Sequence, residues 1–509
     1  MQKKFSQVAL IVLDGWGYRE AREHNAIALA KKPFYDSLWN DYPHNLLQAS
    51  GASVGLPEGE MGNSEVGHNV MGAGRIVESD ILRINKSIQE GVFGSLPPFK
   101  RLFDHVIRNK STLHVNGLVS SGGVHSHEDH LYAFLHAAKA AGIRDLAVHA
   151  FTDGMDTGPH AAVDHIKKLE NFLRELGIGK IATVSGRYYA MDRDNNWDRV
   201  QKVEDALFEC KGNVCHVANP SEMLQSLYEK KVDDMHISPI VCLDYEGQGC
   251  AIKDNDGLFF FNFRPDRARM LSHKVAERAK KSNIHFLTMT QYDDILGCDV
   301  VFSPVTITNS LGEILSKHNL SQVRIAESEK YAHATYFLNA GHEDPYDGQR
   351  NILVPSSKNV ESFDMDPEMM AKEISEKAAE EVRKGTNFIF VNFANPDVVG
   401  HTGNEEATIL AIEAVDSALE PLVSEIVRTG GIAIITSDHG NAEIKYDQES
   451  KAVSVTHTSN PVPIIITAKE HTVFSGGLRD IAPTVLSLFN IKIPLEMTGS
   501  NLLGAGVDN

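Results

Sequence analysis

Cysteine is scarce: the 509 residues hold five, Cys210, Cys215, Cys242, Cys250 and Cys298, with no CxxC pair among them. An odd set without paired spacing argues against a disulfide framework and a thiolate zinc module, and a reduced, cytoplasmic protein fits best. No apolar run approaches the ~20 residues a membrane-spanning helix needs. The run Val8 to Leu13, behind two lysines, closes on Asp14 and is too short for the apolar core of a secretory signal. Positive charge is also in deficit, with 49 Lys and Arg against 68 Asp and Glu and a net charge of -19. That balance argues against nonspecific nucleic-acid binding and against an anionic membrane surface. It leaves an anionic small substrate open, because a local arginine cluster overrides the global sign. Repeats, low-complexity tracts and heptads are missing as well.

What is present is alternation. Apolar, β-rich runs occur at 8–14, 111–119, 145–153, 180–186, 257–263, 387–393 and 431–438, with helical patterns such as 127–142 and 405–430 between them. This predicts an α/β fold with largely parallel sheets, and the length predicts more than one domain. Residues with chemistry fall into two groups, one near 14, 64, 397–401, 438–439 and 457, the other from 125 to 267. If each group is one site, the middle third is a domain inserted into a split outer one. The expected boundaries are 1–80 with 305–509 outside and 81–304 inside, with crossings near 77–84 and 302–309.

In the stretch EGEMGNSEVGHNVMGAG (58–74), Ser64 sits in a glycine-rich loop. The loop lacks the GK[ST] end of a phosphate loop, the GxGxxG of a dinucleotide turn and the GxSxG of a hydrolase elbow. Its activation has to come from elsewhere. Three apolar runs end in a carboxylate: LIVLD at Asp14, VNFANPD at Asp397 and IITSD at Asp438. Sites in parallel sheets collect outside the carboxyl ends of strands. His401, four residues after Asp397, shares its face on a helical turn. His439 and His457 complete a set of oxygen and imidazole donors without cysteine, suited to Mn²⁺ or Zn²⁺. Taken singly, each Asp reads more readily as a helix cap or turn residue and each His as a satisfied polar residue. Taken together, they supply a way to activate a serine hydroxyl by metal coordination.

The assembled motifs closely resemble the cofactor-independent phosphoglycerate mutases of the alkaline phosphatase superfamily. They are LDGWG (13–17), MGNSEVGH (61–68), GAGRIV (72–77), GGVHSHEDH (122–130), SGRYYAMDRDNNWDR (185–199), DNDGLFFFNFRPDRAR (254–269), ESEKYAHATYF (327–337), ANPDVVGHTG (394–403), SDHGNAE (437–443) and GGLRDIAPTVL (476–486). They run the length of the chain in the family's order. The resemblance implies an alkaline-phosphatase-like parallel-sheet domain split by the inserted second α/β domain, and two Mn²⁺ ions. Asp397, His401 and His457 would hold one ion; Asp14, Ser64, Asp438 and His439 would hold the other. It also implies interconversion of 3-phosphoglycerate and 2-phosphoglycerate through a phosphoserine at Ser64, without 2,3-bisphosphoglycerate, by a monomer. His125, Asp156, Arg187, Arg193, Arg264 and Arg267 of the inserted domain would bind the glycerate. Lys330 of the outer domain would stabilise charge at the phosphoryl group. Asp156 is the expected base, with His125 aiding the transfer.

The chemistry of these positions is consistent with that assignment. Guanidinium groups grip phosphate and carboxylate with two parallel bonds each. The competing reading pairs these arginines with Asp192, Asp194 and Asp266 in surface salt bridges. His127 and His130 read as structural residues opening a helix. One departure from the family pattern stands at Met155, where DGMD replaces the usual DGRD and removes a bidentate donor. A metal-dependent phosphatase or phosphopentomutase of the same superfamily would share the metal set, and a chain that had lost catalysis would show decay at Ser64 or a ligand. The arginine motifs and the intact ligand positions argue against both.

Overall fold

The computed structural model describes residues 5–215, 220–243, 249, 251–357, 360–447 and 451–505; Cys250 lies outside them. The chain forms two compact units, residues 1–79 with 306–509, and residues 80–305.

The first unit is built on an eight-stranded sheet. Its order is Gln349–Val354, Gln322–Glu327, Phe388–Phe393, Val8–Leu13, Ile432–Thr436, Val462–Ile466, His44–Gln48 and Gly476–Gly477. The first five strands are parallel, and Val462–Ile466 runs antiparallel to both of its neighbours. The continuous apolar run VALIVL follows from its central place. Side chains alternate across a strand, and both faces here are covered. Val8, Leu10 and Val12 enter one core while Ala9, Ile11 and Leu13 enter the other. Helix Glu405–Arg428, started by the Asn404 side chain accepting from Ala407 N, covers the second face.

The second unit repeats the plan. Its sheet runs Asp299–Phe302, His285–Thr290, Gly257–Phe260, Leu113–Leu118, Leu146–Thr152, Lys180–Gly186, Ile240–Cys242 and Asn213–Cys215. Six strands are parallel, and Ile240–Cys242 pairs antiparallel with Lys180–Gly186. Phe259 and Phe261 pack into one face, Leu258 and Phe260 into the other. Each of the seven apolar runs is a strand, and the helical patterns at 127–142 and 405–430 are Glu128–Ala140 and Glu405–Arg428. The run at 257–263 ends early, at Phe260. Beyond it Asn262 turns its Oδ1 to the Leu118 amide, 2.9 Å away.

Candidate functional site

In the first unit, four neighbouring parallel strands deliver their carboxyl ends to one place. Lys330 lies on the turn Ser328–Lys330 after Gln322–Glu327, and Asp397 on the helix Asn395–Gly400 after Phe388–Phe393. Asp14 follows Val8–Leu13, and Asp438 and His439 follow Ile432–Thr436. Ser64 opens the helix Ser64–Ala73, where Asn63 caps the start by accepting from Val66 N at 3.0 Å. The glycines around Ser64 permit this approach. A Cβ on Gly67 would stand 2.8 Å from the Asp438 carbonyl oxygen, so only glycine lets the helix lie against that residue.

Ser64 is buried, and its hydroxyl is the meeting point of the cluster. It donates to Asp14 Oδ1 at 3.1 Å and lies 2.9 Å from His439 Nε2, and Lys330 Nζ donates to it at 2.7 Å. The same ammonium donates to Asp14 Oδ1 at 2.7 Å and Asp397 Oδ2 at 2.6 Å. Asp397 Oδ1 lies 3.2 Å from His401 Nε2 and 3.3 Å from His457 Nε2. Asp438 Oδ2 is 3.6 Å from His439 Nε2.

The donor set suits divalent cations. His401 Nδ1 is bonded to the Val455 carbonyl at 2.7 Å, and His457 Nδ1 to the Gly62 carbonyl at 2.8 Å. A ring donating from Nδ1 presents Nε2 as a lone pair, the usual tautomer of a metal-ligating histidine. Those two Nε2 atoms are only 3.0 Å apart, two acceptors facing each other beside a carboxylate. Asp397, His401 and His457 bring ligand atoms within 4.8 Å of one another, as do Asp14, Asp397 and His439. Three buried carboxylates face one ammonium, and Asp438 Oδ2 has no hydrogen-bond donor among the described residues.

The charges are mutually dependent. Burial works against ionisation of Asp14, yet Lys330 and then His439 hold its carboxyl well below the usual range. Asp397 is lowered in the same way against the same burial cost, chiefly by Lys330. Burial likewise opposes the charge on Lys330, and Asp14 and Asp397 more than offset it, keeping the ammonium above its ordinary value. His439 is pushed up to about 10: burial opposes the charge, and Asp438, Asp397 and Asp14 outweigh it.

The second unit carries the arginines. Arg187, only 1% exposed, donates to Asp153 Oδ1 at 2.6 Å and to Asp156 Oδ2 at 2.8 Å. Asp153 is itself fixed by Ser120 Oγ at 2.6 Å and by the amides of Met155 and Asp156. Asp266 gathers a second group, with Arg193 at 3.1 Å, Arg264 at 3.5 Å and His125 Nδ1 at 3.5 Å. Arg267 donates to the Met191 carbonyl at 3.2 Å. Burial lowers the Arg267 guanidinium in pKa, and Arg193 and Arg187 add to the effect, the mark of positive charge gathered in one place. Burial pushes the His125 imidazole down to about 4, against the pull of Asp266. His127 caps its helix by accepting from Asp129 N, and His130 is buried with Nε2 on Asn85 Oδ1 at 2.7 Å. The Met155 side chain, 52% exposed, points no donor at the group.

The structure therefore brings Asp14, Ser64, Lys330, Asp397, His401, Asp438, His439 and His457 into one cluster, and places His125, Asp156, Arg187, Arg193, Arg264 and Arg267 in the other unit. The salt-bridge alternative holds for individual arginines: Arg193 and Arg264 do pair with Asp266. Sequence reasoning left out His68, whose ring is buried 3.2 Å from Asp438 and shares Asn392 with Asp14. It also left out Asp153, Asn441, Glu443 and Lys445. Asn441 and Glu443 stood in the motif SDHGNAE, and Lys445 two residues beyond it.

Comparison with known proteins gives three results. The metalloenzyme superfamily model matches residues 6–493. The 2,3-bisphosphoglycerate-independent phosphoglycerate mutase of Listeria monocytogenes is 44% identical, over 98% of this chain and 99% of its own, and a counterpart from Methanosarcina barkeri is 46% identical over 97% of each. A crystal structure of Leishmania mexicana phosphoglycerate mutase at low cobalt concentration superposes with a TM-score of 0.71 at 28% identity, covering 99% of this chain and 98% of that one.

Proposed function

We propose, from the premise that this chain belongs to the 2,3-bisphosphoglycerate-independent phosphoglycerate mutases of the metalloenzyme superfamily, that it interconverts 3-phosphoglycerate and 2-phosphoglycerate through a phosphoserine at Ser64. The observation that carries this reading is the Ser64 hydroxyl, buried and bonded at once to Asp14, His439 and Lys330. Asp397, His401 and His457 would hold one divalent ion, and Asp14, Ser64, Asp438 and His439 a second; we take both as Mn²⁺. Bound there, the ions would favour the ionised serine and offset charge on the phosphoryl oxygens.

The chain's own residues do the rest. Ser64 Oγ loses its proton and attacks the phosphorus in line, and the bond from phosphorus to the glycerate 3-oxygen breaks. That oxygen takes up a proton, and the glycerate reorients. Its 2-hydroxyl then gives up a proton and attacks the phosphoserine, which restores Ser64. Lys330 keeps its charge throughout and holds the serine oxygen in line. Arg187, Arg193, Arg264 and Arg267 would grip the carboxylate and hydroxyls of the glycerate, with Asp156 and His125 beside them. Asp156 is the proposed base, and His125, neutral at pH 7, aids the transfer. The domain division read from the sequence, an outer metal-binding part and an inserted substrate-binding part, belongs to the same proposal. So do a monomeric state and a cytoplasmic location. No described helix is long and apolar enough to cross a membrane.

The test is conversion of 3-phosphoglycerate by chelator-stripped protein without 2,3-bisphosphoglycerate. Activity should fall by at least ~10³-fold on stripping and return on adding Mn²⁺, since a metal site supplies several kcal/mol of transition-state stabilisation. Turnover that survives complete stripping would rule the metals out of the reaction. Release of inorganic phosphate in place of 2-phosphoglycerate would make the chain a phosphatase.

A further inference from the structure

Behind Asp397, His401 and His457 lies a polar layer that the reaction scheme does not use. Asn441 is fully buried, three residues past Asp438. Its Nδ2 donates to Asp397 Oδ1 at 2.9 Å, and its Oδ1 accepts from Lys445 Nζ at 2.7 Å. An amide has one donor end and one acceptor end, and an ammonium can only donate. Lys445 therefore decides which end of Asn441 faces Asp397. Lys445 is itself only 2% exposed, and its second bond, at 2.8 Å, goes to the carbonyl of Gly400, the residue before His401. A Cβ on Gly400 would fall 2.5 Å from Asn441 Oδ1, so the backbone there is pressed against this pair. Glu443, also fully buried, accepts from the amides of Gly17 and Asn441, from Asn460 Nδ2 and from Thr458 Oγ1, the neighbour of His457. The segment 441–445 thus touches the chain at, or next to, all three members of that group.

We propose that Asn441 is a positioning residue for the metal group Asp397, His401 and His457. Its amide, oriented by Lys445, sets the rotation of the Asp397 carboxylate so that Oδ1 faces both imidazoles. Asp397 Oδ1 is the oxygen that Asn441 holds and also the one 3.2 and 3.3 Å from the two Nε2 atoms. Hydrogen bonds to a ligating carboxylate fix its orientation, and their loss typically costs 10–100-fold in metal affinity. The inference rests on the reading of these three residues as ligands.

The experiment is calorimetric titration of chelator-stripped full-length protein with Mn²⁺, comparing wild type, Asn441→Asp, Asn441→Leu and Lys445→Met. Asn441→Asp is the discriminating variant. It keeps the size and satisfies Lys445 more strongly, but it turns an acceptor toward Asp397 where a donor stood. The wild type should bind two ions. Asn441→Asp and Asn441→Leu should weaken one of them about 10–100-fold and leave the other within about threefold, with Lys445→Met showing the same pattern at smaller size. Two ions bound by Asn441→Asp as tightly as by wild type, or more tightly, would overturn the role, as would equal weakening of both ions in every variant. A wild type that binds no Mn²⁺ would instead remove the ligand assignment on which the role depends.

Discussion

Ser64→Ala lowers kcat/KM for phosphoglycerate isomerisation by at least ~10⁴-fold while leaving the fold intact; removal of a serine nucleophile elsewhere costs up to ~10⁶. The side chain that leaves is one oxygen, and the cavity is closed by Asp14, His439 and Lys330. Lys330 retains two carboxylate partners, so its charge stays compensated and the stability cost stays near ~1 kcal/mol. Steady-state kinetics and a thermal melt on the same preparation check both halves. A variant with a tenth of the wild-type rate would show that Ser64 is a ligand or a spacer and that the phosphoryl group travels another way.

Arg187→Met is the second large effect. It should lower kcat/KM about 10³-fold and destabilise the protein by about 3 kcal/mol, for two separate reasons. The guanidinium is the buried member of the arginine group, and bidentate recognition of an oxyanion is lost with it. Asp153, also buried, is left with Ser120 and two amides but no counter-charge, and breaking a buried ion pair from one side costs about 3–5 kcal/mol. Arg187→Lys separates the two effects. It keeps the charge beside Asp153 and Asp156 and so restores most of the stability. It cannot span both partners and a substrate oxyanion with one point charge, so kcat/KM should stay at least ~10²-fold down. Equal recovery of stability and activity in the lysine variant would mean that Arg187 serves only the loop 153–156.

The central strands were legible because burial on both faces leaves a continuous apolar run, as in VALIVL or FIFVNF. Strands at the sheet margins were not: His44–Gln48 is half polar, and Gly476–Gly477 has no side chains to alternate. The convergence of the three carboxylates was legible for a related reason. Asp14, Asp397 and Asp438 each end such a run, and a shared sheet forces their convergence. What stayed hidden depends on contacts across the chain. Asn441 matters because of Asp397, 44 residues away, and His68 because of Asn392, 324 residues away. Both stand in sequence motifs, SDHGNAE and MGNSEVGH, but the contacts that give them a role are long-range. Gly17, in the LDGWG motif, shows the same limit. Its reason is Glu443, whose carboxylate carbon would stand 2.2 Å from any Cβ placed there. Among the arginines the salt-bridge reading holds for Arg193 and Arg264, both paired with Asp266, and the substrate-binding reading belongs to the proposal.

The covalent intermediate is the claim from which the rest follows, and rapid acid quench of the Mn²⁺-loaded protein with phosphate-labelled 3-phosphoglycerate, followed by peptide mapping, addresses it directly. The account predicts label on the peptide containing Ser64, appearing within the first turnover and absent from Ser64→Ala. Steady turnover with no label on the protein, or label on a different residue, would contradict it.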